Sequence, residues 1–79
     1  MKNKTNEIKL GLYKHYKGKL YEVVGVARHS ESLEELVIYK GLYDSEEFGK
    51  NPLWARPKSM FFEEVIVDNK KVLRFEFVK

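Results

Sequence analysis

The feature that most restricts the fold of this chain is the spacing of its turns. Turn-forming residues interrupt the apolar segments roughly every eight to twelve positions, at residues 17–18, 30–33, 44–52, 57–61 and 68–71. Five or six short strands fit between these turns. Such a series is typical of a small antiparallel β-barrel or sandwich, so we expect an all-β protein.

The length of 79 residues allows one domain with a thin core, because a chain of this size buries only about 60 to 65% of its unfolded surface. Aromatic residues make up 14% of the chain, and small β-barrels use such residues to fill their cores. We predict a flexible N-terminal tail over residues 1–7 and a single β-barrel domain over residues 8–79.

Composition excludes several classes of protein. The chain has no cysteine, which removes disulfides, thiolate metal sites and cysteine nucleophiles. No apolar run approaches the roughly 18 residues that span a bilayer, so we expect no membrane contact and a cytoplasmic location. The net charge of +3 is weak evidence for an anionic partner, because acidic residues lie among the basic ones.

The segment over residues 33–43 fits either an amphipathic helix or a strand, and its run Val37-Ile38-Tyr39 favours the strand. If residues 30–33 form a four-residue loop, this strand pairs with residues 20–28, where Gly25 marks a bend or bulge. The register then predicts these opposite pairs: Arg28 with Glu35, Val26 with Val37, Val24 with Tyr39, and Val23 with Lys40.

The elements of the C-terminal half are predicted from its turn-forming and strand-breaking residues. Residues 44–52 form a polar loop, and residues 53–56 form a short strand that Pro57 ends. Residues 57–61 are predicted to form a 3₁₀ turn before a strand over residues 62–67. A hairpin turn at residues 68–71, with Asn69 suited to positive φ, leads into one last strand over residues 72–78.

Arginines and rings occur together at the ends of two predicted strands. Arg28 precedes His29 at the hairpin tip, and Trp54 and Arg56 share one face of a strand. These residue types suit ring stacking and contact with anions. We predict a binding patch formed by Arg28, His29, Glu31, Tyr16, Trp54 and Arg56. The alternative is structural, with Arg28 paired to Glu35 and Trp54 closing one barrel end.

Two catalytic interpretations of residues 29–31 are disfavoured. Adjacent residues on a strand point to opposite faces, so His29 cannot serve Ser30 as a base, and the serines are better explained as loop-stabilising residues. His29 and Glu31 resemble a zinc-deaminase spacing, but that site also needs cysteines. We therefore predict no catalytic residues, no metal and no cofactor, although an enzyme or ligand pocket at His29 and Glu31 remains the third hypothesis.

One family pattern runs through much of the chain, at residues 11, 13, 15–18, 21–23, 25–35, 39, 42–43, 53–54, 56–57 and 60–61. Through these positions the sequence, from about Gly11 to Phe75, resembles a small bacterial family known as domain of unknown function 1653. The resemblance implies no chemistry, because the family has no established activity to transfer. The fold resembles an SH3-like antiparallel barrel, through an aromatic entry strand at residues 11–16 and the turn at residues 57–61 before the last strand.

Two functions follow as hypotheses from different classes. The first is a non-catalytic binding module whose aromatic and basic patch recognises a protein or peptide. The second is RNA or single-stranded nucleic-acid binding on the same patch, with affinity that falls steeply as salt is added.

Overall fold

The computed structural model describes residues 8–79, and the predicted tail over residues 1–7 lies outside the described residues. The described chain is all-β, with antiparallel pairing throughout and one helical turn. The elements are β1 (Gly11–His15), β2 (Leu20–Arg28), β3 (Glu35–Gly41), β4 (Asp44–Ser45), β5 (Gly49–Lys50), β6 (Leu53–Pro57), α1 (Lys58–Phe61), β7 (Glu64–Val67), β8 (Lys70–Leu73) and β9 (Phe75–Phe77).

Five of these strands form one sheet in the order β6-β3-β2-β1-β9, and two small hairpins, β4–β5 and β7–β8, are attached to it. Between residues 8 and 79 the pairing leaves β6 and β9 as the outer strands, so hydrogen bonding does not close the sheet into the expected barrel. No helix within that range is long and apolar enough to cross a membrane.

The β2–β3 register is confirmed near the loop and wrong beyond Gly25. Arg28 faces Glu35 and Val26 faces Val37 as predicted, but a bulge at Val24 shifts the pairing by one residue. Val23 therefore lies opposite Tyr39 and is 1% exposed, whereas Val24 is 44% exposed. The bulge buries one of two adjacent valines and adds local twist. It also places Glu22 opposite Lys40, with their charged atoms 3.4 Å apart.

The core is largely aromatic, as the composition predicts. The rings of Phe61 and Phe75 stack with centroids 4.5 Å apart and an angle of 4° between their planes. Tyr13 and Tyr39 meet the Phe61 ring edge to face at 5.4 and 5.8 Å. Large rings let a few residues from the sheet and α1 fill the interior, and the buried set is Tyr13, Val23, Val37, Tyr39, Phe61 and Phe75.

The turn after Pro57 is α-helical over Lys58–Phe61, where a 3₁₀ turn was expected. The end of this single turn is tight, because the backbone N–H groups of Phe62 and Glu63 both donate to the Met60 carbonyl, that of Glu63 at 3.4 Å. The next strand consequently begins at Glu64 and not at Phe62. This turn delivers Phe61 into the core and leaves Phe62 at the surface.

The last predicted strand is divided at Arg74. Asp68 and Asn69 both adopt positive φ, which confirms the predicted hairpin turn, and β8 pairs with β7. β9 pairs instead with β1. At the break, the Arg74 N–H donates to the Glu63 carbonyl and the Arg74 carbonyl accepts from the Tyr16 N–H, each at 2.9 Å. One residue thus connects the β7–β8 hairpin to the main sheet.

The polar loop over residues 44–52 contains the two-stranded β4–β5 hairpin. Its turn is fixed by the Ser45 hydroxyl, which accepts a hydrogen bond from the Phe48 N–H at 3.1 Å. Phe48 packs edge to face on Trp54, with ring centroids 5.2 Å apart. The loop is therefore folded back onto β6 through one aromatic contact.

Candidate functional site

The loop between β2 and β3 is held by its own side chains. The His29 Nδ1 atom accepts hydrogen bonds from the backbone N–H groups of Glu31 and Ser32, at 3.1 and 3.2 Å. The Ser32 hydroxyl accepts from the Glu34 N–H at 3.2 Å. Leu33 adopts a φ of 66°, which lets its N–H reach the His29 carbonyl at 2.9 Å. His29 therefore stabilises the turn through its side chain, a role that was predicted for the serines alone.

A row of charges crosses three adjacent elements below this loop. The Glu35 carboxylate lies 3.8 Å from Arg28 Nη2 and 3.6 Å from Lys58 Nζ. The register explains the row: Arg28 is opposite Glu35 on β2, and the pairing of Leu36 with Pro57 brings Lys58 beside Glu35 on the other flank. The predicted Arg28–Glu35 pair is present, and Lys58 extends it.

An open groove of about 530 Å³ lies beside this row, between the hairpin tip and α1. We call it the tip groove and define it by its lining residues Glu34, Glu35, Lys58, Ser59 and Phe62. Phe62 is 42% exposed, and its ring meets the buried Phe61 ring at 5.8 Å and 87°. The groove therefore joins an exposed aromatic ring, which rests on the core, to charged walls of both signs.

The walls of the tip groove are not charge-balanced. Glu35 is neutralised by its two cationic neighbours. Within residues 8–79, Glu34 makes no ion pair, and neither does Glu31 at the nearby loop. Two carboxylates are thus available to a cationic group that enters from the loop side.

Arg56 and Trp54 point into the fold and away from the tip groove. Arg56 lies opposite the buried Val37, donates from Nε to the Met60 carbonyl at 3.3 Å and contacts Glu63 at 3.3 Å. Trp54 lies opposite the buried Tyr39, and its Nε1 donates to the Tyr43 hydroxyl at 3.2 Å. Both side chains hold the structure together on the core side of β6.

Glu63 bridges two arginines, a group that no pattern in the sequence indicated. Its Oε1 lies 3.3 Å from Arg56 Nη2 and 3.5 Å from Arg74 Nη2. Arg74 Nε is buried without a hydrogen-bond partner among the described residues. Burial raises the pKa of the neighbouring Tyr39 phenol, and Arg56 opposes that shift. In the sequence, Glu63 and the two arginines lie on separate segments, so no short-range pattern predicts that they meet.

A tyrosine network flanks Trp54. The hydroxyl of Tyr43 lies 3.5 Å from that of Tyr21 as well as accepting from Trp54. Burial raises the pKa of Tyr21, and the hydrogen bond with Tyr43 raises it further. The two hydroxyls act as hydrogen-bonding parts of the packing.

The predicted patch is therefore divided among three places. Arg28, His29 and Glu31 lie at the hairpin tip near the tip groove, while Trp54 and Arg56 lie under β6. Tyr16 lies beyond the other end of β2, next to Arg74. The hairpin tip and the end of β6 do meet, but Lys58 and Phe62 occupy the positions expected of Arg56 and Trp54.

These features define a small all-β domain with an open, charged and partly aromatic surface groove. The chain belongs to the DUF1653 family, described as a protein of unknown function, whose model matches residues 11–77. It is similar to the crystal structure of a DUF1653 protein from Bordetella bronchiseptica, with 31% sequence identity and a TM-score of 0.82. That match covers 95% of this chain and 92% of the other. Among curated proteins, no match was found.

Proposed function

We propose that this protein is a non-catalytic binding module that recognises a peptide segment of a protein partner in the tip groove. The observation that carries the proposal is the exposed Phe62 ring between the free carboxylate of Glu34 and the Glu35–Lys58 pair. An aromatic floor with polar walls suits a short peptide, because the ring offers apolar area and the charges fix its orientation.

The charges of the groove indicate the kind of peptide. Glu31 and Glu34 favour a lysine or arginine side chain near the loop, and Phe62 favours an apolar side chain next to it. The same carboxylates repel phosphate groups, so a nucleic acid is a poorer ligand for this groove. We also propose that the architecture is SH3-like, since a helical turn comes late in the chain and, after the β7–β8 hairpin, the last strand β9 returns to pair with β1. A bacterial, cytoplasmic protein remains our expectation.

An enzyme at His29 and Glu31 receives less support. His29 Nδ1 already accepts two backbone N–H groups, so this nitrogen is occupied by the loop. The Ser30 hydroxyl is not among the described partners of His29. Through Nδ1, His29 stabilises the loop next to the groove.

A display selection with random peptides tests the proposal. Peptides that bind the wild-type protein should be enriched in a basic residue next to an apolar one. Phe62→Ala should abolish the enrichment, and Glu34→Gln should remove the basic preference while apolar selection remains. Tyr16→Ala, at the far end of β2, is the matched control and should select the same peptides as the wild type.

Two results would overturn the proposal. The first is no enriched motif from a protein whose circular dichroism shows the native fold. The second is a motif that persists in Phe62→Ala, because it would locate recognition elsewhere. Circular dichroism of each variant separates loss of binding from loss of structure.

A further inference from the structure

A pair of rings lies at the end of the molecule remote from the tip groove. His15 and Tyr16 have centroids 4.6 Å apart and planes tilted by 32°, and Tyr16 is 37% exposed. The β1–β2 turn fixes the His15 ring, because His15 Nδ1 accepts from the Lys17 N–H at 3.1 Å. On the other side, the Tyr16 N–H donates to the Arg74 carbonyl. Tyr16 is therefore a positioned, accessible aromatic surface.

Two cationic groups lie over the Tyr16 ring, and further lysines lie nearby. Lys17 Nζ and Arg74 Cζ lie 5.8 and 5.9 Å from the centroid of the Tyr16 ring. Lys14 lines the adjoining cavity, and Lys70 and Lys71 belong to the β7–β8 hairpin whose strands help to line it. In the described part of the chain the four lysines make no ion pair. Glu76 lines the cavity and lies opposite Lys14 in the β1–β9 register, so the cations outnumber one acidic lining residue.

The cavity beside Tyr16 has a volume of about 250 Å³. The apolar side chains of Val67, Val72 and Leu73 line it together with the rings of His15 and Tyr16, and Lys14 and Glu76 contribute one charge of each sign. The rings and the branched apolar side chains make a slot suited to a flat, weakly polar group. Lys14 in the lining and the lysines of the adjoining turn and hairpin outnumber the Glu76 carboxylate, so the surroundings suit negative charges attached to that group.

We infer that this Tyr16 surface binds single-stranded nucleic acid, with one unpaired base stacked on Tyr16 in the slot and flanking phosphates held by the lysines. The combination of an exposed ring with basic surroundings is how sequence-tolerant single-strand binding works. A duplex keeps its bases stacked and cannot place one in the slot. The inference goes beyond the proposed function, since it uses different residues and an anionic ligand.

Fluorescence anisotropy with a labelled uridine oligonucleotide of about 12 nucleotides tests this inference. Affinity should fall with salt along a log–log slope of about −2 to −3, as expected when up to four lysines contact phosphates. Tyr16→Leu should weaken binding by about five- to a hundredfold through lost stacking, whereas Tyr16→Phe should keep it within about twofold. Lys71→Gln should reduce the slope by about 0.7.

The controls separate this surface from general positive charge. Lys50→Gln removes the same charge on β5 and should leave the slope unchanged, and Phe62→Ala should bind the oligonucleotide normally. The inference is overturned by no binding at about 50 mM salt or by equal affinity for the annealed duplex. Equal competition from a glutamate peptide of the same length would also overturn it, because the surface would then attract any anionic chain.

Discussion

Glu63→Gln should destabilise the protein, since Glu63 is the carboxylate that Arg56 and Arg74 share. The substitution keeps the size of the side chain and removes its charge, which leaves two guanidinium groups facing each other. Arg56 and Arg74 side chains are 24% and 26% exposed, so the site lies between a surface pair and a buried one. Surface pairs contribute about 0 to 1 kcal/mol, and breaking a buried pair costs about 3 to 5 kcal/mol.

The expected cost is about 1 to 2 kcal/mol, because the Glu63 side chain is 39% exposed and solvent screens part of the interaction. For a domain of this size that corresponds to a fall in Tm of roughly 5 to 15 °C. Thermal and urea unfolding followed by circular dichroism at neutral pH and low salt provide the measurement. The matched control is Glu35→Gln, which removes an exposed carboxylate with two cationic neighbours and should cost less than about 1 kcal/mol.

The refuting result is a Glu63→Gln protein as stable as Glu35→Gln. It would show that the bridge contributes nothing beyond an ordinary surface pair. A double-mutant cycle with Arg74→Met adds a second check, because the cost of Glu63→Gln should shrink once Arg74 is absent. Equal costs in both backgrounds would contradict direct coupling between Glu63 and Arg74.

Two further predictions concern β1 and β2. Val23→Ala should cost about 2 kcal/mol in urea unfolding and Val24→Ala less than about 0.5, since the bulge buries only Val23; equal costs would contradict the observed register. Burial and the nearby cations Arg74, Lys17 and Arg56 lower the pKa of His15, so the folded state resists its protonation. Stability should therefore fall as pH drops from about 6.5 through the lowered folded pKa, and His15→Gln should lose that part of the slope; identical slopes would show that His15 does not contribute.

The strands could be predicted from local patterns, because turn residues and alternating apolar positions act over a few residues. The loop over residues 30–33 set the correct pairs as far as Gly25. Gly25 marked a bend or bulge next to the observed one, but the pairing beyond it could not be derived, since Val23 and Val24 are equally apolar and either could face Tyr39. The break at Arg74 could not be predicted for a related reason. Residues 72–78 have the pattern of one strand, and the break arises because the residues before Arg74 pair with β7 and those after it pair with β1.

The candidate site was harder to predict than the fold. The Phe61-Phe62 pair shows that one ring will be buried and the other exposed, but only the helical turn after Pro57 decides which. Trp54 and Arg56 were predicted to be part of a binding patch because of their residue types. Their positions opposite Tyr39 and Val37 turn both side chains toward the core. Whether an arginine faces solvent or a half-buried carboxylate depends on how the elements pack, here on the helical turn that brings Glu63 beside Arg56.

The separation of the two surfaces decides which ligand suits each of them. The tip groove and the Tyr16 surface lie at opposite ends of β2, whose nine residues span about 25 to 30 Å. At that distance, exposed charges are largely screened from each other at physiological salt, so each end attracts ligands by its own charges. Free carboxylates at Glu31 and Glu34 disfavour phosphates near the hairpin tip, and lysines around Tyr16 favour them at the other end. In a single mixed patch, the carboxylates would repel a phosphate that the lysines attract. The folded chain holds the two groups of charges at separate ends.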